Sequence, residues 1–199
     1  TVYVDNVAST AIGMDGKAGD YEVTNDADDS NTLTVGDIVK WFGIVADAAD
    51  DVTGLVFGTT AFGLVQDAID QVENNFYRDL TTVQIAEGIF FEHLQMDGGG
   101  SLVGVGSALT FLDGSENGRV LEVRGGNVAR ISGVAIQNGR VNNAGGGGIV
   151  IANDGEQSTL IVSDSVITGN VAQNDFGGGI QNDLGTLTLI NTTVTNNTA

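Results

Sequence analysis

An acidic stretch near the start of the sequence has the oxygen-ligand spacing of an EF-hand-type calcium loop. Counted from Asp26, oxygen-bearing side chains stand at positions 1, 3, 5, 9 and 12, namely Asp26, Asp28, Ser30, Thr34 and Asp37. Ca²⁺ takes roughly six to eight oxygen ligands, and this spacing wraps them around one point. Position 6 is asparagine instead of glycine, and position 12 is aspartate instead of glutamate. The stretch is therefore a candidate calcium site, with an acidic solvated loop as the alternative.

Cysteine, histidine and tryptophan, which often mark functional sites, give little indication of a reaction in this sequence. Cysteine is absent, which excludes disulfides and thiolate metal sites. His93 is the only histidine and Trp41 the only tryptophan. A lone histidine is more often a packing or surface residue than a base. Trp41 could stack on a sugar ring, but we expect it in the core of an N-terminal strand region.

The charge balance excludes several classes of partner. Seven basic residues against 26 acidic ones give a formal net charge of −19. Sequence-independent nucleic-acid binding needs a basic surface that displaces counterions, and docking on an anionic membrane needs basic clusters. No apolar stretch approaches the ~18–20 residues of a membrane-spanning helix. We expect no nucleic-acid partner and no membrane-spanning segment.

The composition predicts a regular architecture with many tight corners. The 199 residues include 30 glycines and no proline, and glycine lets the backbone turn with positive φ. The length suits one domain, or one domain with an appendage. We divide the chain into an acidic, strand-rich cap segment at 1–58 and a repetitive region at 59–199.

One amphipathic helix opens the second region. Its apolar residues share one face of a 3.6-residue period and are Phe62, Val65, Ala68, Ile69 and Val72. This spacing predicts a helix over about 60–75, with Thr59 or Thr60 as its N-cap. A helix with a single apolar face needs an apolar surface to pack against, and we expect that surface to be the open end of a sheet.

Two repeats follow, with periods typical of a solenoid. Gly147-Gly148-Ile149 recurs as Gly178-Gly179-Ile180, 31 residues later, and residues 159–170 recur at 186–197, 27 residues later. Residues 128–138 form an earlier, degenerate copy of residues 159–170, at an offset of 32. Short strands between glycine and asparagine corners, without helices, make each repeat a β-helix coil.

The repeats also predict which side chains face the core and which form a corner ladder. Aligning the copies places Asn138, Asn170 and Asn197 in one hydrogen-bonded column. The residues predicted to face inward are Leu121, Val123, Ile131, Ile149, Ile151, Ile161, Ile180 and Leu189.

Two segments resemble a known family. Residues 62–70 and 82–92 are similar to the N-terminal cap and first coil of pectin-lyase-like right-handed β-helices. The glycine triplets, with Ile167-Thr168-Gly169-Asn170 and its echo Val194-Thr195-Asn196-Asn197, are similar to repeats of bacterial cell-surface proteins of the polymorphic outer-membrane protein type. The resemblance covers about 59–199. It implies an all-β, right-handed single-stranded parallel β-helix with an N-terminal capping helix, displayed outside the cell.

The same family includes polysaccharide lyases and hydrolases, so an enzyme remains an alternative. A lyase of this fold would need a basic residue beside carboxylates that hold calcium. The candidate bases are Arg119, Arg124, Arg130 and Arg140; the candidate carboxylates are Asp113, Glu116, Glu122, Asp154 and Asp164. No spacing selects a set, and no close carboxylate pair of the kind that hydrolases use is evident.

The last coil motif runs to the end of the sequence, without a polar finishing segment. An uncapped β-helix exposes a strand edge, so three explanations stay open: a longer parent protein, a last coil covered by its own irregular residues, or head-to-tail assembly of copies. We expect an extracellular or cell-surface structural protein that forms a surface layer or filaments, assisted by calcium if the acidic loop binds it. Its partners would be itself or a cell-surface polysaccharide. The alternatives are a polysaccharide-active enzyme and an adhesin or carbohydrate-binding module.

Overall fold

The computed structural model describes residues 2–4, 21–25, 38–41, 52–56, 61–62, 64–73, 82–152 and 154–199. Short parallel strands stack into a β-helix of about four turns, with one helix. The elements in chain order are β1 (Val2–Val4), β2 (Tyr21–Asn25), β3 (Ile38–Trp41), β4 (Val52–Val56), β5 (Ala61–Phe62), α1 (Val65–Glu73), β6 (Thr82–Ile85), β7 (Gly88–Phe91), β8 (Leu94–Met96), β9 (Gly100–Gly104), β10 (Thr110–Asp113), β11 (Leu121–Val123), β12 (Val128–Ser132), β13 (Ala135–Gln137), β14 (Arg140–Asn142), β15 (Ile149–Ile151), β16 (Thr159–Ser163), β17 (Val166–Thr168), β18 (Val171–Gln173), β19 (Ile180–Asn182), β20 (Thr186–Ile190) and β21 (Thr193–Thr195).

Three parallel sheets form the faces of the β-helix. The first sheet has the order β20-β16-β12-β9-β6-β1-β5, the second β21-β17-β13-β10-β7, and the third β19-β15-β11-β8. A short sheet of β14 and β18 widens the corner between the second and third faces in two coils. Strands β2, β3 and β4 form a separate antiparallel sheet, whereas β1 pairs with β6 and so belongs to the first face.

The strand register confirms two of the three repeat offsets. Ile149 pairs with Ile180, and Thr159 pairs with Thr186, as the 31- and 27-residue periods predict. The third offset is wrong by one residue, because Val128 pairs with Thr159, 31 positions on. Since strand side chains alternate between faces, a slip of one residue changes which side chains stack together.

The core runs along the axis of the β-helix, and most of the predicted inward residues lie in it. Leu121, Val123, Ile131, Ile149 and Ile151 are buried, and Ile180 packs against the same cluster while partly buried. Burying a side chain of this size stabilises the fold by about 1.5–3 kcal/mol. The prediction for Ile161 is wrong, because its neighbours Leu160 and Val162 occupy the inward positions of β16. Leu189 continues the inward column below Val162 but is 41% exposed.

At one corner, the backbone conformation explains why successive coils carry glycine, aspartate and asparagine at the same position. Gly133, Asp164 and Asn191 all have left-handed backbone, with φ of 65°, 48° and 47°. They follow paired strand ends in three successive coils. Asn191 Nδ2 donates to Asp164 Oδ1 at 2.7 Å. Short polar side chains tolerate this conformation better than branched or bulky ones.

The predicted asparagine ladder has two members, not three. Asn170 Nδ2 donates to Asn197 Oδ1 at 3.0 Å and to the Ile136 carbonyl at 3.0 Å. Asn170 Oδ1 accepts from the Gly139 N–H at 2.8 Å. Gly139 therefore occupies the position predicted for Asn138, as the corrected 31-residue offset requires.

Helix α1 is shorter than the predicted 60–75 and covers the end of the core at the first coil. Val65, Ala68 and Ile69 are buried in the main hydrophobic cluster, whereas Phe62 lies in β5, not in the helix. The described helix begins at Val65, and the predicted N-cap residues Thr59 and Thr60 lie outside the described residues. The side chain of Glu92 caps the first turn by accepting from the Val65 and Gln66 N–H groups at 2.8 and 2.9 Å.

Candidate functional site

A shallow cleft lies where the corner between the second and third sheets changes length. Residues 92–93 make this corner in the first coil, 114–120 in the second and 138–148 in the third. The longer corners leave a step above the first coil. The cleft at this step has a volume of about 210 Å³, and its lining residues are His93, Leu94, Gln95, Arg119 and Glu122.

Arg119 braces the wall of the cleft. Its Nε and Nη2 donate to the Gly146 and Gly145 carbonyls at 3.0 and 2.8 Å, and its Nη1 donates to Glu122 Oε2 at 2.8 Å. The guanidinium fork thus fixes a glycine corner of the next coil and a carboxylate of its own coil at once. Arg119 therefore has a structural role here, whereas a catalytic base must be free to accept a proton.

A second arginine continues the charged network on the third sheet. Arg124 Nε donates to Asp97 Oδ1 at 2.7 Å and Nη2 to Asp97 Oδ2 at 3.2 Å, while Nη1 lies 3.8 Å from Glu122 Oε1. Gln95 Nε2 donates to Asp97 Oδ2 at 2.9 Å. The hydrogen bond from Arg124 is the main cause that lowers the pKa of the Asp97 carboxyl and raises the pKa of the Arg124 guanidinium.

His93 lies at the mouth of the cleft in a fixed orientation. Its Nδ1 is 2.8 Å from the Arg119 carbonyl, and because a carbonyl only accepts, Nδ1 carries a proton. The ring packs on Gly118, where a Cβ would stand 2.6 Å from His93 Cε1. Glycine at 118 is therefore required for this close approach. Nε2 is left as the ring atom that could contact a ligand.

The structure brings some of the candidate catalytic residues together and separates the others. Arg119, Glu122 and Arg124 form one network. The exposed Asp154 accepts from the Gly125 and Glu156 N–H groups, and these bonds, with the charge of Arg124, lower the pKa of its carboxyl.

The remaining candidates lie elsewhere. Arg140 pairs with Glu116 at 3.6 Å on the same corner but outside the lining of the cleft, and Arg130 is exposed on β12. Asp113 is buried and accepts from the side chains of Gln137 and Asn138. Asp164 is held by Asn191.

Within the cleft, the carboxylate of Glu122 is paired with arginine, and so is that of Asp97 beside it. Hydrolysis of a glycosidic bond needs one carboxyl that donates a proton and a second that attacks or activates water. Glu122 is the single carboxylate lining the described cleft. The arrangement is suited to hydrogen bonding with the hydroxyl groups of a polar molecule, because amide, imidazole and paired charges converge there.

The calcium prediction is not addressed by the described residues. Asp26, Asp28, Ser30, Thr34 and Asp37 all lie outside them. In the ranges that are described, no group of three or more histidine, aspartate or glutamate side chains could hold a metal ion. The described helix is also neither long nor apolar enough to cross a membrane.

Sequence reasoning missed Glu92, Gln95 and Asp97, which fasten the first coil to α1 and to Arg124. These contacts join residues 24–29 positions apart, and no local motif marks them. Acidic residues directly after short strands were the one available signal. Comparison of the chain with protein-family models, curated proteins and solved structures finds no significant match.

Proposed function

We propose that the chain is an extracellular structural protein, a β-helix subunit of a surface layer or filament that assembles through end-to-end contacts. The observation that carries the proposal is the strand edge formed by β19, β20 and β21. Each of these strands pairs on one side with the preceding coil, and no described strand pairs with its other side. The N–H and C=O groups on that side are the ones with which a further parallel strand would pair.

The side chains at this edge support the proposal as strongly as the backbone. Leu189 continues the column of Val162, and Val194 continues that of Ile167. Val162 and Ile167 are fully buried, whereas Leu189 and Val194 are 41% and 45% exposed. The edge thus offers a further coil the same apolar columns that β16 and β17 offer to β20 and β21.

The opposite end of the core is different, because α1 covers it. A contact between two unlike ends is heterologous, and heterologous contacts that do not close propagate into filaments. The net charge of −19 opposes association of copies, and salt or divalent cations weaken that repulsion. Calcium bound at the acidic loop of Asp26, Asp28, Ser30, Thr34 and Asp37 would assist assembly in this proposal.

The proposal includes the finer family identity, a pectin-lyase-like β-helix of the bacterial cell-surface type. It is supported by the amphipathic helix that precedes the first coil and by repeated glycine corners at a 31-residue offset. Both features are also present in the segments that carry the resemblance.

Sedimentation velocity and negative-stain microscopy test the proposal, with Leu189→Lys as the disrupting variant. Its matched control is Thr188→Lys, whose side chain lies on the outer face of the same strand. We expect Leu189→Lys to weaken association by about tenfold or more, since it removes apolar burial, and Thr188→Lys to have little effect. Circular dichroism checks that both variants stay folded. A monomer under all conditions, or equal association of the two variants, contradicts the proposal.

The calcium component has its own control. Association in calcium is compared with association in sodium chloride at equal ionic strength and in chelator. Specific assistance predicts more assembly in calcium, and loss of that excess in a variant carrying Asp26→Ala and Asp28→Ala. An equal response to both salts would show that calcium promotes assembly only by charge screening.

The cleft favours a second candidate, binding of a neutral polysaccharide. His93, Gln95, Arg119 and Glu122 place hydrogen-bonding groups around a space of about 210 Å³. Glycan-array binding of the wild type and of Gln95→Ala tests it, because this substitution removes one amide from the lining of the cleft. Glycan binding that Gln95→Ala leaves unchanged argues against the cleft.

A further inference from the structure

The sequence contains two Asn-Gly pairs, Asn117-Gly118 and Asn138-Gly139, and the fold treats them differently. A glycine after asparagine leaves its backbone nitrogen unhindered, so such pairs are the sites where an asparagine side chain is attacked most readily. We propose that Asn117 is a site of spontaneous deamidation in the folded protein, whereas Asn138 is protected.

The reaction needs water and no other reactant. The Gly118 backbone nitrogen attacks Cγ of Asn117, which forms an N–Cγ bond. The side-chain nitrogen leaves as ammonia and carries away the proton that Gly118 nitrogen loses. Water then opens the resulting succinimide ring at either carbonyl and gives aspartate or isoaspartate.

At Asn117 the groups that must react are free. The Asn117 side chain is exposed, and within the described residues it makes no hydrogen bond. The Gly118 N–H likewise donates to no described acceptor, although the Gly118 carbonyl accepts from the Arg140 N–H at 2.8 Å. Attack at this position therefore breaks no hydrogen bond of either reacting group.

The turn before Asn117 adds to this freedom. Ser115 and Glu116 are successive residues with φ of 53° and 55°, and the Asn117 N–H closes the turn on the Gly114 carbonyl at 3.0 Å. Two consecutive left-handed residues other than glycine are strained. Local opening of this turn releases that strain.

At Asn138 both groups are held. Asn138 Nδ2 donates to Asp113 Oδ2 at 2.7 Å, and the Gly139 N–H donates to Asn170 Oδ1 at 2.8 Å. Gly139 is buried, with the Gly147 carbonyl packed against it. The nitrogen that would attack thus lies in a close-packed corner and must first lose a buried partner.

Conversion at Asn117 would act on the wall of the cleft. Isoaspartate inserts one extra carbon into the backbone, and both products add a carboxylate beside Glu116. The next residues are Gly118, on which His93 packs, and Arg119, which braces the glycine corner. The site therefore makes the cleft sensitive to the age of the protein.

Peptide mapping of protein aged at mildly alkaline pH tests the proposal. Cleavage after arginine places the two pairs in separate peptides, 79–119 and 131–140, each with a single asparagine. We expect the amide-to-acid mass gain to accumulate at least about tenfold faster in peptide 79–119, because attack at Asn138 must break two hydrogen bonds. Isoaspartyl methyltransferase labelling of the same peptide identifies the ring-opened product where it exceeds the labelling in Asn117→Gln, because Asp97-Gly98 and Asp113-Gly114 in that peptide can also form isoaspartate.

Two controls separate the fold from the local sequence. In denatured protein the two peptides should convert at similar rates, and in Asn117→Gln the mass gain in peptide 79–119 should vanish. Equal conversion of the two peptides in the folded protein would overturn the proposal. So would a ratio that persists after denaturation, or a mass gain that survives in Asn117→Gln.

Discussion

The side-chain amide of Gln66 pairs with the backbone of Gln95 as a neighbouring strand would. Gln66 Oε1 accepts from the Gln95 N–H at 2.8 Å, and Gln66 Nε2 donates to the Gln95 carbonyl at 3.2 Å. Gln95 lies in β8, the edge strand of the third sheet. A residue of α1 thus satisfies backbone groups that the first coil would otherwise leave open.

Replacing Gln66 should weaken the attachment of the helix to the first coil. Gln66→Ala leaves the partly buried Gln95 N–H and C=O without these partners, and we expect a loss of about 1–3 kcal/mol in the free energy of unfolding. Chemical denaturation measures it. Gln157→Ala, in an exposed loop, is the control and should stay within about 0.5 kcal/mol of the wild type. Equal stability of both variants would contradict the role given to Gln66.

Glu92 should give the stability a distinctive pH dependence. Burial raises the pKa of Glu92 above its ordinary 4.5, although the Gln66 and Val65 N–H groups oppose this; the nearby charge of Asp67 adds to it. A raised folded pKa means that the contribution of Glu92 is full below the unfolded pKa and is lost as pH rises through the folded value. The stability of the wild type relative to Glu92→Gln should therefore fall from acid to neutral pH.

Parallel denaturation of the wild type and Glu92→Gln across that range isolates this one group, because all other titrations are common to both proteins. Glu156→Gln serves as the matched control, since it makes the same change at an exposed glutamate. A stability difference that rises with pH would contradict this prediction. It would mean that the N–H groups at the start of α1 stabilise the Glu92 carboxylate by more than burial destabilises it.

The turn at 114–117 should become more stable when its sequence matches its backbone. Ser115 and Glu116 occupy the two central positions with positive φ, for which asparagine and glycine are preferred. We expect Ser115→Asn with Glu116→Gly to raise the free energy of unfolding by about 1–2 kcal/mol. The Arg140 contact that Glu116→Gly removes is an exposed pair at 3.6 Å and contributes little.

A glycine placed where φ is negative provides the comparison. Glu156→Gly changes the same residue type at an exposed position that is not among those with positive φ, and it should lower stability by about 0.5–1 kcal/mol. Thermal unfolding of the variants distinguishes the two directions. Destabilisation by the turn substitutions would show that the strain is not stored in these two residues.

Much of the fold could be predicted from the sequence because each coil repeats a local pattern. The β-helix, its Gly-Gly-Ile corner and the 27-residue register follow from residues that recur at fixed offsets. The error lay in aligning Asn138 with Asn170, when the corner of Gly133, Asp164 and Asn191 gives the correct offset of 31. Asparagine is compatible with several corner positions, so its recurrence alone could not set the register.

The candidate site was less predictable, for a physical reason. Arg119, Arg124 and Glu122 could be named as candidates, but the groups that fix the two arginines lie one coil away: the Gly145 and Gly146 carbonyls for Arg119, and Asp97 for Arg124. Gln95 and Asp97 join the network because β8 pairs in register with β11 of the next coil. Corner length changes which residues meet without changing the repeat pattern, so the cleft had no signature within any one coil.

The hydrogen-bonded pair of buried Asn170 and half-buried Asn197 allows a test in which the side-chain shape stays constant and a hydrogen-bond donor becomes an acceptor. Asn170 is fully buried, and its Nδ2 donates to Asn197 Oδ1 and to the Ile136 carbonyl. In Asn170→Asp an acceptor replaces that donor, so oxygen faces oxygen. We expect a loss of about 3 kcal/mol at neutral pH, while Asn196→Asp, at an exposed corner position, should cost little.

The pH dependence of Asn170→Asp then identifies the cause. A carboxyl in this buried position has a raised pKa, since burial disfavours its charge, and its protonated form restores one O–H donor. By linkage the stability of the variant is highest at acid pH and is lost as pH rises through that raised value. Denaturation across pH should therefore show the gap to the wild type closing on acidification. A gap that is independent of pH would assign the loss to packing, because packing does not change when the carboxyl takes up a proton.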